Sequence, residues 1–412
     1  MAFFFFVLSL IVLYIRPAEW IPFFAGWHLA VLTLVGTALF LLFQVMATKK
    51  PLIKVPHNGM MIGLLLAVVA SHAVHTYFGG MINGFTEFFK ILVMYYLIVN
   101  TIASKRQFQS ALWVVILLTA ILAIQGVCQY HTGHGWAGQY MAEGRRITWI
   151  SIFDDPNDLA MTFVVMVPVL LAYLVKPGFF GLKVGPLSVL GLILYAIFLT
   201  NSRGGMLGLM ISIVFFFVKR SRYILPGGII GGILSGLVFV FGPSRLGVLS
   251  SQDASAHGRL DAWYYGFQLM KSSPIFGVGF DMFTDQYPLT AHNSFVLAAS
   301  ELGLFGLFFW VGLFYVSFKS MSLVQKHCPE LAPYAYSLQA ALVGFLATAF
   351  FLSRTYNPIP YLVCALAASL YAVAREQTDS VAFRFTVKDA RNVFLLAVGS
   401  LVMAQLAMKV WL

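Results

Sequence analysis

The chain has 412 residues, of which 60 % are hydrophobic and 10 % charged, with a formal net charge of +11 and a mean hydropathy of +0.86. Soluble domains use roughly 25 % charged residues, so an ordinary soluble fold is excluded. The positive charge is dispersed between apolar runs rather than gathered into a patch, which argues for no nucleic acid as a partner and for membrane lipids instead.

The opening MAFFFFVLSLIVLYIRPAEW lacks a basic leading region and a small-residue cleavage site. It reads as a retained first span rather than a removed signal peptide. Apolar runs near the ~20 residues that cross a bilayer then recur to the end of the chain. They predict spans near 2–15, 28–47, 59–77, 83–100, 110–128, 157–175, 183–200, 204–218, 223–241, 292–318, 332–353, 357–374 and 391–411. The expected fold is an all-α integral membrane protein, a polytopic bundle of about 12–13 transmembrane helices, the short first span leaving the number open. Residues 1–412 form a single membrane domain with two long connections, 130–155 and 242–291. Cys128, Cys328 and Cys364 are scattered and odd in number, which suggests neither a disulfide framework nor a metal knuckle.

The connections alternate in basic content. Of the 26 lysines and arginines, sixteen fall on one side, eight on the other, and Lys90 and Lys409 inside spans. The basic-rich side is cytoplasmic by the positive-inside rule, which puts both long connections outside. Seven of the eight outer basic residues are arginines: Arg16, Arg145, Arg146, Arg203, Arg245, Arg259 and Arg354. A planar guanidinium matches phosphate or carboxylate oxygens, so the cluster points to an anionic ligand, although each arginine also fits a snorkelling anchor. Glu87 and Lys90, three apart in the fourth span, are expected to form a buried structural pair.

In chain order, the first long connection carries EGRRITW, with Arg145 and Arg146, and ends in FDDPNDLA. Asp155 before Pro156, with Asp158 in the first turn, is a helix start rather than a metal cluster. TNSRGGMLG then separates two short apolar runs and sets Ser202 and Arg203 ahead of two glycines that allow a close backbone approach. An arginine this near hydrocarbon faces a polar cavity or a partner in most membrane proteins. The second long connection holds AHGRLDAWYYGFQLMKSSPIFGVGFDMF, whose Arg259–Lys271 portion suits a helix in the interface plane. Pro274, Gly277 and Gly279 end that helix in a turn. His131, His134 and His257 resemble a zinc set in composition, but their spacing in loops favours surface histidines. Finally, AHNSFVLAASELG puts His292 and Asn293 at the mouth of a span, where the histidine either caps a helix or does chemistry.

The order NSRGG, GRLDAW…SSPIFGVG, HNSFVLAASELGLFG resembles the O-antigen ligase and polymerase superfamily of bacterial envelopes, over roughly Thr200–Trp310. FDDPNDLA is similar to a segment upstream in several members. The resemblance implies a GT-C-like architecture in the bacterial inner membrane, with the active site in the periplasm. It implies a metal-independent, inverting glycosyltransferase that needs no cofactor. Its donor would be a glycan on undecaprenyl diphosphate, and its acceptor a hydroxyl of lipid A core or another surface glycan. By motif, His292 would be catalytic, and Arg203 and Arg259 would bind the diphosphate. Asn293, Ser202, Arg145, Arg146 and Arg354 are further substrate-binding candidates. Polymerisation of lipid-linked repeat units is the alternative. Transport of the lipid-linked glycan fits less well, since the basic residues lie at span ends rather than through the spans.

Overall fold

The computed structural model describes residues 1–49, 51–175, 181–221, 224–240 and 254–411, without the side chains of 182, 224, 238–240, 254–257, 410 and 411. Arg245 and the side chain of His257 therefore lie outside the described residues. All regular elements among those described are helical: α1 (Ala2–Ile15), α2 (Pro17–Trp20), α3 (Leu29–Thr48), α4 (His57–Ala73), α5 (Phe78–Thr101), α6 (Lys105–Thr132), α7 (Pro156–Leu174), α8 (Gly181–Thr200), α9 (Arg203–Arg220), α10 (Ile224–Val240), α11 (Ala254–Ser272), α12 (Phe283–Gln286), α13 (Ser294–His327), α14 (Ala332–Ala349), α15 (Pro358–Gln377) and α16 (Val387–Trp411).

Eight of these, α3, α5, α6, α7, α8, α13, α15 and α16, are long and apolar enough to cross a membrane. The shorter or more polar helices α1, α4, α9, α10 and α14 pack among them. The chain is thus a polytopic all-α membrane protein. Each of the thirteen expected spans coincides with one of these helices, with shifted ends. The run expected at 292–318 is the 34-residue α13, which continues to His327. The run expected at 110–128 begins at Lys105, because the Ser104 side chain caps the helix by accepting from the Gln107 amide. An α-helix stops where its last amides and carbonyls find partners, not where the hydropathy falls.

α13 is the hub, packed against α4, α11, α14, α15 and α16, while α7, α8, α9 and α14 form a neighbouring cluster. Trp149, Trp310, Tyr95, Tyr361 and Phe163 are among the largest fully buried side chains. At one face, Lys105 of α6 pairs with Glu330 in the α13–α14 joint at 2.6 Å, and Arg220 at the end of α9 donates to the Val175 carbonyl at 3.1 Å. At the opposite face, four helices begin, each behind a side-chain cap: Asp155 for α7, Ser202 for α9, Asn293 for α13 and Asn357 for α15. Helix starts carry the positive end of the helix dipole, so this face gathers the positive ends of four helices.

α13 is broken at Gly303, which lies at φ 66°, ψ −170°. The PIFGVG segment after α11 fits into the break. Leu304 and Phe305 donate to the carbonyls of Pro274 and Ile275, while Val278 and Gly279 donate to those of Ser300 and Glu301. The close approach requires glycine on both sides. A β-carbon on Gly303 would lie 2.2 Å from the Ile275 carbonyl oxygen, and one on Gly277 would lie 2.2 Å from the Glu301 carbonyl carbon. α11 consequently packs along α13, burying Leu260, Trp263 and Phe267, with Trp263 edge-on to Phe350.

Candidate active site

The four capped helix starts are tied together by hydrogen bonds. The Asn157 side-chain oxygen accepts from Ser202 Oγ at 2.7 Å and from Arg146 Nη2 at 2.9 Å, joining α7, α9 and the first outer connection. Ser294 Oγ donates to the Leu352 carbonyl at 2.6 Å and accepts from the Arg354 amide at 2.8 Å. The Thr355 hydroxyl donates to the Ser294 carbonyl. The start of α13 is thereby fixed to the turn between α14 and α15. Arg354 reaches from that turn back to α7, where its guanidinium binds Asp158 and, at 3.3 Å, Asp155.

His292 stands half-buried in this frame with φ +48°, a left-handed conformation that is uncommon for a residue with a side chain and concentrates at functional sites. Burial, then the positive charges of Arg259 and Arg354, hold its imidazole below the ordinary value of 6.5, with Asp155 opposing. Arg259 of α11 thus converges electrostatically with His292, from a segment more than thirty residues earlier in the chain. Neutral imidazole, the form that accepts a proton, is the form this environment favours.

The remaining predicted residues take distinct places. Arg203 is the first residue of α9, and Ser202 is its cap, accepting from the Gly205 amide at 3.1 Å. Asn293 caps α13 by accepting from Phe295 and Val296, while its buried Nδ2 has no hydrogen-bond partner among the described residues. Arg146 is 9 % exposed and donates to the Thr200 carbonyl, Glu143 and Asn157, which makes it a clamp between the first outer connection and the α7–α9 corner. Arg145 is exposed and pairs with Glu143. Arg354 has its fork turned to Asp155 and Asp158. Glu87 and Lys90 pair at 2.7 Å, but their side chains are 50 % and 57 % exposed. The expected burial is corrected: the pair lines an open groove of about 590 Å³ between α5, α1 and α3.

Two features have no strong sequence signal. Glu301, two residues before the break in α13, is buried and accepts from the Phe283 amide at 3.0 Å and the Tyr356 hydroxyl at 2.8 Å. Beside it, a cavity of about 370 Å³ is lined by Asp154, Asp158, Asp281, Glu301 and Arg354 among others. Only the glycines around Glu301 hint at either, since its partners lie 18 and 55 positions away.

The arrangement offers a base, cationic groups and helix starts for an anion, and a polar cavity alongside. Among curated proteins no relative was found. A family model described as O-antigen ligase matches residues 188–311, a segment that contains Arg203, Arg259, His292, Asn293 and Glu301 but neither Asp155 nor Arg354. That match covers about a third of the chain and supports membership of the O-antigen ligase superfamily for this segment.

Proposed function

We propose that the chain is a ligase-type glycosyltransferase that moves a glycan from undecaprenyl diphosphate to an acceptor hydroxyl, at the periplasmic face of the bacterial inner membrane. The acceptor is lipid A core or another surface glycan. The observation that carries this reading is the neutral, half-buried imidazole of His292 held beside Arg259 at a face where four helices start.

In the proposed step, a ring nitrogen of His292 takes the proton of the acceptor hydroxyl. The acceptor oxygen forms a bond to the anomeric carbon from the side opposite the diphosphate. The anomeric carbon–oxygen bond to phosphate breaks, its electron pair leaving with undecaprenyl diphosphate. A single displacement of this kind inverts the anomeric centre. Negative charge grows on the leaving oxygens, and fixed positive groups there lower the barrier. Arg203 and Arg259 take that role, which removes the need for a metal ion. Asn293, with a free amide donor, helps orient the reacting groups.

The polymerase alternative calls for a second outer arginine set to hold a second carrier. Arg145 and Arg146 are the outer arginines such a set would draw on; Arg146 is engaged with Glu143, Thr200 and Asn157, which counts against it, while Arg145 is exposed with one pair to Glu143. The test is transfer by the purified chain from a defined undecaprenyl diphosphate glycan, with chelator and no ATP. Expected is one inverted linkage to the acceptor, read by NMR of the product. A ladder of lengthening lipid-linked glycan would establish polymerisation, and turnover abolished by chelation would refute the arginine role.

A further inference from the structure

The cavity beside Glu301 differs in electrostatic character from the cationic side of the site. Asp154, Asp158, Asp281 and Glu301 line it, and Arg354 is the single cation among its lining residues. That guanidinium is already bound to Asp155 and Asp158. A diphosphate entering here would meet the exposed carboxylates of Asp154 and Asp281 at the rim, so the cavity does not suit the donor's anionic end. Carboxylate oxygens accept hydrogen bonds and donate none, and what they recognise is a ligand rich in O–H or N–H groups.

A second observation points the same way. Ser353, 9 % exposed, lines the cavity, and its buried hydroxyl has no hydrogen-bond partner in the described protein. Buried hydroxyls are nearly always paired, and a rotation of the Ser353 side chain toward the cavity that the residue lines would let a sugar hydroxyl supply the missing partner. Asp154 and Asp281 stand exposed at the rim. Glu301 is different: its oxygens hold the Phe283 amide and the Tyr356 hydroxyl, so it shapes the wall. Tyr356, partly exposed and packed on Phe280, is the aromatic residue of this wall with surface left to meet sugar C–H groups. A volume of about 370 Å³ falls at the lower end of small-molecule sites, which run from ~300 to 1,000 Å³.

The cavity also lies next to the base. Thr290 and Leu297, on either side of His292 in the chain, line it, and Arg354 and Asp155 both act electrostatically on the imidazole. We propose that this carboxylate-lined cavity seats the receiving sugar, and that it selects acceptors whose receiving sugar is neutral or amine-bearing over those carrying a carboxylate. The site is thus divided by charge, with arginines for the donor on one side and carboxylates for the acceptor on the other. The inference rests on the glycosyl-transfer reading of the outer face.

The test uses the purified full chain in detergent micelles and three probes: methyl glucoside, methyl glucosaminide and methyl glucuronide. Saturation-transfer NMR is expected to show contact with the first two and little with the third. Asp154→Asn with Asp281→Asn, two rim changes that leave Glu301 and its partners intact, should weaken binding about tenfold, since a hydrogen bond to a charged group is stronger than one to a neutral amide. Ser353→Ala should weaken it as well, while leaving thermal unfolding unchanged. Equal binding of the glucuronide, no contact from any probe, or unchanged binding in the rim variant would each overturn the acceptor seat. In transfer assays the rim variant should raise the acceptor KM and leave the donor KM unchanged. Transfer with an unaltered acceptor KM would refute the seat alone. Sugar contact without transfer from any donor would refute the glycosyl-transfer reading alone.

Discussion

At His292 the chemistry rests on a proton balance. Burial and the charges of Arg259 and Arg354 keep the imidazole neutral below pH 6.5. A base with a lowered pKa stays in its accepting form as pH falls, and loses it only when pH drops through the lowered value. The acid limb of a pH–rate profile should therefore lie below pH 6.5. Arg259→Gln removes one of the charges that oppose protonation, so the limb should move upward even as the rate falls. A limb that stays in place in that variant would show that Arg259 acts on the imidazole weakly or not at all. The candidate motifs of this scale were legible in advance. His292, Arg203 and Arg259 stand in short polar motifs between apolar runs, where a costly residue type draws notice. The partners of Arg146 and Arg354 were not legible, because Thr200, Asn157, Asp155 and Asp158 are distant in sequence. Which groups an arginine binds is not written in a string of letters.

Among the elements, α13 joins the site to the bundle core. Its first turn is stapled to the α14–α15 turn through Ser294, and its break at Gly303 receives the segment 274–279. The break places buried Glu301 where it orders both Phe283 and Tyr356, and so the cavity wall. Gly303 occupies a backbone region open essentially to glycine alone, where another residue costs about 1–3 kcal/mol before any clash. A β-carbon there would also strike the Ile275 carbonyl. Gly303→Ala should lower the thermal unfolding temperature in detergent and reduce transfer. Gly399→Ala, at a helical glycine with open space around it, should change neither. Equal stability of the two variants would show that the break tolerates a side chain. The start of α7 was readable from Asp155–Pro156, because capping is a local exchange of hydrogen bonds, whereas the caps at Ser202 and Asn293 emerge from the structure. The break was not readable either, since glycine is common in apolar helices and its reason here is a strand of backbone more than twenty residues away.

For the whole molecule, the alternation of basic residues and the joined helix ends describe the same two faces. Lys105 and Glu330 meet on one, Arg146 and Asn157 on the other. In a background lacking Cys128, Cys328 and Cys364, Glu143→Cys should react with a membrane-impermeant maleimide added to intact spheroplasts. Glu330→Cys should react only after permeabilisation. The reverse pattern would invert the orientation and move the site to the cytoplasm. The order of the helices was legible because hydrocarbon demands long apolar runs with internally paired backbones; the number of spans was not, since eight of the described helices, rather than twelve or thirteen, are long and apolar enough to cross a membrane. How those helices gather was not, and the two cavities with it, because both follow from packing between distant segments. The central claim is that an imidazole on the outer face deprotonates the acceptor while guanidinium groups steady the departing diphosphate. Single-turnover transfer by His292→Ala, with donor binding measured on the same preparation, tests it most directly. The rate should fall by about 10²- to 10⁴-fold, the range for losing a placed base, with donor affinity kept. Transfer at the wild-type rate, or loss explained wholly by weaker donor binding, would contradict it.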